Sequence, residues 1–368
     1  MNFDPIYTKA LSGEPLETDE ALSIYTRAPQ GELTLLADLL RRRAVADPGA
    51  VSWQIDRNVN ITNVCISGCK FCNFHCRPAE HDKAYITTLE EYDRKIAETL
   101  ALGGGQLLLQ GGLHPRLDIR FYERLFRDLK RMYPQVKLHA LGAPEVAHIA
   151  RISSLDYETT LRRLVDAGLD SLPGAGAEIL DNEVRRRISP AKPDADAWLE
   201  VMRIAHRMNL PTSATIKYRP VAPARHGFEH QVKFGVLHGV RTSGHYCFIA
   251  FIPWVFRGSG TRLEKEGVSS VFSPQEYLRL IAMSRIVLYN IRNIQASWLT
   301  VGKQTAQLAL HGGANDLGSI MIEENVVSSA GARNRFDADG IQQAIREAGF
   351  TPRLRNQLYE SRPWPVLP

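Results

Sequence analysis

Cysteine is scarce in this chain, with five in 368 residues, and four of the five, Cys65, Cys69, Cys72 and Cys76, fall in one short segment. A secreted disulfide framework spreads its cysteines along a small chain, so that class is excluded and the clustering points to metal or redox chemistry. Long apolar runs are absent too: the most apolar stretch, around Tyr246 to Phe256, is too short to span a bilayer. The start, MNFDPIYTKALSGEP, has no basic region followed by an apolar stretch, so a cytoplasmic protein without membrane insertion is expected. Charge of one sign is also in short supply. The net charge is +5 and the basic runs reach no further than Arg41 to Arg43 and Arg185 to Arg187, too little to build a nucleic-acid surface. No GxGxxG fingerprint, internal repeat or low-complexity segment occurs, which argues against a dinucleotide-binding sheet and a solenoid.

What is present suits a globular core. Hydrophobic residues make up 44% and charged residues 23%, close to the average for folded domains. Through about Ala50 the chain reads as helical, with Leu33, Leu35, Leu36, Leu39 and Leu40 as its apolar stripe and Asp47-Pro48-Gly49 as its end. Eight strand candidates follow, VSWQID, QLLLQ, VKLHA, LDSLP, PTSATIKY, HYCFIAFI, NIQAS and LGSIMI, beginning near Val51, Gln106, Val136, Leu169, Pro211, His245, Asn293 and Leu317. Amphipathic helices separate them. Thr88 with Glu91, and Ser273-Pro274 with Glu276, are helix-start signals, while Gly168 and Gly349 are stops. Strands that read as buried apolar runs, alternating with helices, predict an α/β fold, a (β/α)8 TIM-type barrel with an N-terminal helical extension. A doubly wound open sheet shares the alternation. The expected division is a helical lead-in over 1–50, a barrel over 51–350 and a tail over 351–368, whose ESRPWPVLP end reads as a loosely held strap.

The segment NVNITNVCISGCKFCNF spaces its thiols as Cys65-x3-Cys69-x2-Cys72 in a glycine-containing loop just past the first strand. In a barrel that is the face where active sites sit. Three thiolates in one loop can hold three corners of a cubic 4Fe–4S cluster and leave one iron open to chelate the amino and carboxylate groups of S-adenosyl-L-methionine. Structural zinc, with Cys76 or His75 as fourth ligand, is the competing use. Cys247, in an apolar strand, reads as core.

The Cys-x3-Cys-x2-Cys loop with Phe71 before its last cysteine resembles the radical S-adenosylmethionine superfamily. With LLLQGGLHP, LPGAGAEILDNEVRRRISP, FIAFIPWVFRGSGT, ASWLTVGKQTAQLALHGGANDLGSIMIEENVV and AGFTPRLRNQLY, the likeness narrows to the cyclic dehypoxanthinyl futalosine synthases of menaquinone biosynthesis and runs from about Ala21 to Tyr359. Ile188-Ser189-Pro190, Ala314-Asn315-Asp316 and Glu323-Glu324-Asn325 separate it from the sister aminofutalosine synthases. The resemblance implies a radical ring closure on dehypoxanthine futalosine. It also implies a small nucleoside-derived substrate and an electron donor such as flavodoxin or ferredoxin.

Roles for other residues follow from that resemblance. Gln110, Gly111 and Gly112 would let the methionine end of the cosubstrate approach bare backbone. Phe71 would offer its face to the adenine, and Glu178 would contact the cosubstrate and act catalytically. Asn60, His114, Arg292, Ser297, Thr300 and Asn315 are candidates for substrate binding, with Arg292, Ser297 and Thr300 receiving its carboxylate. Asp316 and Glu323 are candidates for accepting the ring proton, with Glu324 beside them. Asn58 would order the pocket wall, and Arg185 or Arg186 could bind an acid. Two stretches depart from the family pattern. Tyr218-Arg219-Pro220-Val221-Ala222 stands where Tyr-Gly-His-x-Glu is usual, with Lys217 in place of methionine, and Gly142 stands where serine is usual. Lys217 would repel a sulfonium unless turned outward.

Overall fold

The computed structural model describes residues 2–80, 82–218 and 248–364. Cys247 and the Arg219–Ala222 departure lie outside the described residues.

Strands form at seven of the eight predicted apolar runs, and at two further stretches, Arg57–Asn60 and Thr351–Leu354. They are β1 (Ala50–Gln54), β2 (Arg57–Asn60), β3 (Gln106–Gln110), β4 (Lys137–Ala140), β5 (Thr212–Tyr218), β6 (Phe248–Val255), β7 (Asn293–Ile294), β8 (Asp316–Ser319) and β9 (Thr351–Leu354). They pair in parallel as β8-β1-β9, β2-β3-β4 and β5-β6-β7. Single bridges link the groups: His139 to Ser171, Leu172 to Thr212, and Gln295 to Asp316. Because β1 runs directly into β2, these pairings close into a ring, and Ser171-Leu172 fills the fourth position where LDSLP was expected. The fold is an α/β TIM-type barrel. The first residues expected for the sixth strand, through Cys247, lie outside the described residues.

Capping chemistry works as the sequence predicts. Glu91 N–H donates to Thr88 Oγ1 at 3.3 Å while Thr88 N–H donates to the Glu91 carboxylate at 3.0 Å, starting the helix Leu89–Ala101. Ser273 and Glu276 repeat the arrangement at the helix Pro274–Val287.

The N-terminal helices Asp4–Leu11, Thr18–Arg27 and Gln30–Ala44 dock on the barrel, burying Leu33, Leu36 and Ala37 against Ala282, Met283, Ile286 and Val287. The predicted leucine stripe is too wide. Leu35 and Leu39 are 62% and 41% exposed, because a 3.6-residue period places only 33, 36, 37 and 40 on one face.

Strand β9, like β2, is an addition to the predicted strands. It pairs Thr351–Leu354 with Ala50–Trp53, at the strands' N-terminal end, and the chain then sends Arg355, Gln357 and Tyr359 to the wall of the interior cavity. The stretch read as a loose strap is tied down as far as Trp364: Arg362 N–H donates to the Leu354 carbonyl at 2.9 Å, and the Trp364 ring lies 5.0 Å from Trp53. Along β5 and β6 every second residue, Ser213, Thr215, Lys217 and Ala250, Ile252, Trp254, lines the cavity, as the two-residue period of a strand requires.

Candidate active site

The cysteine loop leaves the end of β2 and is pinned at its base by backbone. Cys65 N–H donates to the Cys76 carbonyl at 3.0 Å and Cys76 N–H to the Asn63 carbonyl at 2.9 Å. Gly68 takes a left-handed φ of +63°, reversing the chain between the thiols. Cys65, Cys69 and Cys72 line one cavity with His75, Gly260, Arg262 and Lys265, and Cys76 lines no part of it. Ser67, a residue the sequence reading passed over, sits between two thiols, its Oγ 2.9 Å from Cys65 Sγ and 3.3 Å from Cys69 Sγ. Leu113 N–H donates to Cys65 Sγ at 3.2 Å. Burial pushes the Cys69 thiol up to about 11, against the opposing pull of Lys192 and Ser67, so binding a metal there displaces a proton.

This donor set fits a polynuclear cluster. Three soft sulfur donors face one space, with a hydroxyl and a backbone amide positioned around the sulfurs. Among the described residues no three His, Cys, Asp or Glu side chains are placed to share a single metal ion, and Cys76, the proposed fourth zinc ligand, does not line the cavity that the other three thiols share.

Close backbone contact seats the loop against the end of β3. A Cβ on Gly112 would fall 2.1 Å from the Val64 carbonyl oxygen, and one on Gly111 would crowd the Thr62 backbone at 3.1 Å. Gly112 N–H donates to the Thr62 carbonyl at 2.8 Å. The bare glycines therefore serve the approach of the thiol loop itself, a use the sequence reading did not assign to them.

Phe71 carries the loop to the barrel cavity, whose wall also includes Gln110, Glu178 and Lys217. Glu178 is buried, in a left-handed backbone conformation at φ +49°. Its carboxylate meets Lys192 at 2.8 Å and Lys217 at 3.6 Å, and both ammonium groups stand over the Phe71 ring, at 5.3 and 4.1 Å from its centroid. Burial would raise the Glu178 pKa, but the two lysines, with Arg185 behind them, outweigh it and hold the group at about 2. Lys217 therefore faces inward, sharing the Glu178 carboxylate with Lys192. The Arg185 guanidinium donates to the carbonyls of Ala177 and Pro193, bracing the turn that carries Glu178.

The chain matches the Radical SAM superfamily over residues 59–221 and the CofH/MqnC C-terminal region over 245–367. It is 42% identical over 360 residues to the cyclic dehypoxanthine futalosine synthase of Streptomyces coelicolor, covering 98% of this chain and 88% of that one. It belongs to the radical S-adenosylmethionine superfamily. A second cyclic dehypoxanthine futalosine synthase, from Halalkalibacterium halodurans, is 37% identical over 98% of this chain and 95% of its own. A 5-amino-6-(D-ribitylamino)uracil–L-tyrosine 4-hydroxyphenyl transferase from Archaeoglobus fulgidus is 38% identical over 88% of this chain and 92% of its own. Among solved structures, methylornithine synthase (PylB) superposes with a TM-score of 0.67 at 19% identity, over 94% of this chain and 97% of that one. The FeFe-hydrogenase maturase HydG of Carboxydothermus hydrogenoformans gives 0.70 at 14%, over 97% and 80%. These two likenesses establish the barrel fold.

The protein is thus a radical S-adenosylmethionine enzyme, with a 4Fe–4S cluster and S-adenosyl-L-methionine as its cofactors. Several residues singled out in the sequence lie elsewhere in it. Asp316 begins β8, at the strands' N-terminal end, where it is fully buried and bound by Arg355 at 2.7 Å, Ser52 at 2.7 Å and Tyr359 at 3.0 Å; it is part of the barrel floor. Asn315 beside it holds Arg285 at 2.8 Å and the Ile294 amide at 2.9 Å. Arg292 precedes β7 and is exposed at the same end. Ser297 Oγ donates to the Pro253 carbonyl at 2.8 Å. Glu323 forms ion pairs with Lys95 at 2.6 Å and Arg57 at 3.2 Å, outside the cavity wall. Asn60 accepts from Asn325 at 3.1 Å, and His114 Nδ1 accepts from the Arg116 amide at 3.1 Å; neither lines the cavity. Glu324 does, but its oxygens accept from the amides of Val326, Val327 and Ser328, so it acts as a backbone cap.

Phe71, Gln110, Glu178 and Thr300 do line the cavity. Asn58 does as well, and its buried Oδ1 has no hydrogen-bond partner among the described residues. Lys192, Ser67 and Arg257 were missed. The one signal for the first is its charge close behind the Ile188-Ser189-Pro190 segment.

Proposed function

We propose that this enzyme closes a ring on dehypoxanthine futalosine, a ribose that carries a carboxyphenyl ketone. A bond forms between ribose C4′ and the aromatic ring, and each carbon loses a hydrogen. S-adenosyl-L-methionine is the net oxidant and leaves as methionine, 5′-deoxyadenosine and a proton. The bound cluster supplies the electron that splits the sulfonium.

The observation that carries this reading is a three-thiol loop reaching a barrel cavity through Phe71, in a chain 42% identical to a cyclase over 98% of its length. Phe71, Gln110 and Glu178 hold the cosubstrate, with the Phe71 face toward its adenine. Glu178, shared with Lys192, lessens the repulsion between Lys217 and the sulfonium. Asn58 and Thr300 belong to the substrate side of the same cavity. The reducing electron comes from an acidic flavodoxin or ferredoxin in the cytoplasm; support comes from the exposed Arg262 and Lys265 beside the thiols.

The 38% identity to a tyrosine-dependent transferase favours a second reading, aryl transfer to an aminouracil. Anaerobically reconstituted protein, given S-adenosyl-L-methionine, a chemical reductant and each substrate set in turn, decides between them. Cyclisation predicts a product two hydrogens lighter than dehypoxanthine futalosine, one 5′-deoxyadenosine per product, and no turnover by Cys69→Ala. Turnover of tyrosine with the aminouracil, or of the aminofutalosine precursor, in place of the nucleoside would overturn the proposal.

A further inference from the structure

Among the described residues three Lys or Arg side chains line the barrel cavity, and two of them have carboxylates beside them. Lys217 lies 3.6 Å from Glu178, and Arg355 holds Asp316 at 2.7 Å. The third, Arg257, two residues past β6, is paired with no carboxylate of the described residues. One terminal nitrogen donates to the Thr300 carbonyl, and the guanidinium stands 5.3 Å from the centre of the Phe272 ring. Its buried Nε has no hydrogen-bond partner among the described residues.

A cation taken out of water without a counterion is destabilising, and a ligand that brings an anion removes the penalty. A guanidinium already held by a carbonyl and an aromatic face loses little freedom when it binds, and its planar fork matches a carboxylate. Ile252, Trp254, Val326 and Val327 line the same cavity and offer apolar surface to a flat ring. We infer that Arg257 receives the carboxylate on the aromatic ring of the substrate. The assignment rests on the cyclase reading, whose substrate carries that carboxyphenyl group. It also relocates the role that sequence reasoning gave to Arg292: Thr300 does sit at the carboxylate site, but through its carbonyl, which aims Arg257.

Equilibrium binding to cluster-loaded protein, measured without reductant, tests this with two ligands: dehypoxanthine futalosine and its analogue lacking the ring carboxylate. Arg257→Gln is expected to weaken the carboxylated nucleoside about 10- to 100-fold, with no comparable loss for the analogue, and Arg257→Lys to restore part of the difference. Iron content reports whether each variant has folded, and if Arg257→Gln has not, the lysine variant decides by the same comparison. Equal losses for the two ligands, or no loss for either, overturn the assignment while leaving the cyclase reading in place. Wild-type protein that does not bind the nucleoside at all overturns both.

Discussion

His139 on β4 is buried beside Ser171, with Nδ1 and the serine Oγ 2.7 Å apart. Burial, helped by the Arg355 charge, pushes its pKa down to about 3. Between that value and the ordinary histidine value near 6.5, the unfolded chain binds a proton that the folded chain does not, so stability rises with pH across this window and is lost as the solution is acidified. From pH 7 to pH 5 the loss from this one group is of order 1–2 kcal/mol. His139→Gln should flatten that part of the profile, seen as a smaller difference between melting temperatures at pH 7 and pH 5 in cluster-free protein; an unchanged difference would place the acid sensitivity elsewhere. The cluster thiols were legible at this scale because their spacing along the chain is itself the geometry. Asp316 and Arg292 lie at the strands' N-terminal end and not at the thiol end, because a residue flanking a short strand can lie at either end of the barrel, and only the strand boundaries decide which.

At the scale of elements, the cysteine loop and the end of β3 are built as one piece. Gly112→Ala would press a methyl group into the Val64 carbonyl, backbone against backbone, and the loop must move. The expected cost is about 1–3 kcal/mol or more, accompanied by a fall in iron bound after anaerobic reconstitution. Gly68→Ala is the contrast: its Cβ meets nothing within 4 Å, and only the left-handed φ of +63° resists it, so about 1 kcal/mol and near-normal iron content are expected. Equal iron content in the two variants would show that the contact does not seat the loop. Seven of the strands could be read from their apolar runs, since burial on both faces leaves that pattern in sequence. Strand β9 could not, because TPRL contains one strong apolar residue and its pairing partner lies about 300 positions earlier.

Over the whole molecule, the C-terminal segment closes the floor of the barrel. Arg355 donates twice to Asp316, at 2.9 and 2.7 Å, with 3% and 0% of the two side chains exposed. Arg355→Ala leaves a buried carboxylate without its cation and is expected to cost about 3–5 kcal/mol, measured by denaturant unfolding; a loss below about 1 kcal/mol would mean that the floor is dispensable. At the opposite end, Arg262 and Lys265 are exposed beside the thiol cavity. Lys265→Glu should slow reduction by an acidic protein donor several-fold, an effect that added salt diminishes, while leaving reduction by dithionite unchanged. Equal slowing with both reductants would point to a damaged site.

By itself the sequence determined the barrel, the helix starts and stops, and the three cluster thiols, because period, capping and ligand spacing are local properties of a chain. The tertiary structure alone decided which polar residues face the cavity. Asn58, Arg257 and Lys192 matter through partners tens to hundreds of positions away, or through lacking one among the described residues, while Asn315 and Asp316 turn out to be satisfied in the floor. Whether a buried charge is free for chemistry depends on what the fold sets against it, and that is settled only when the ring of strands closes.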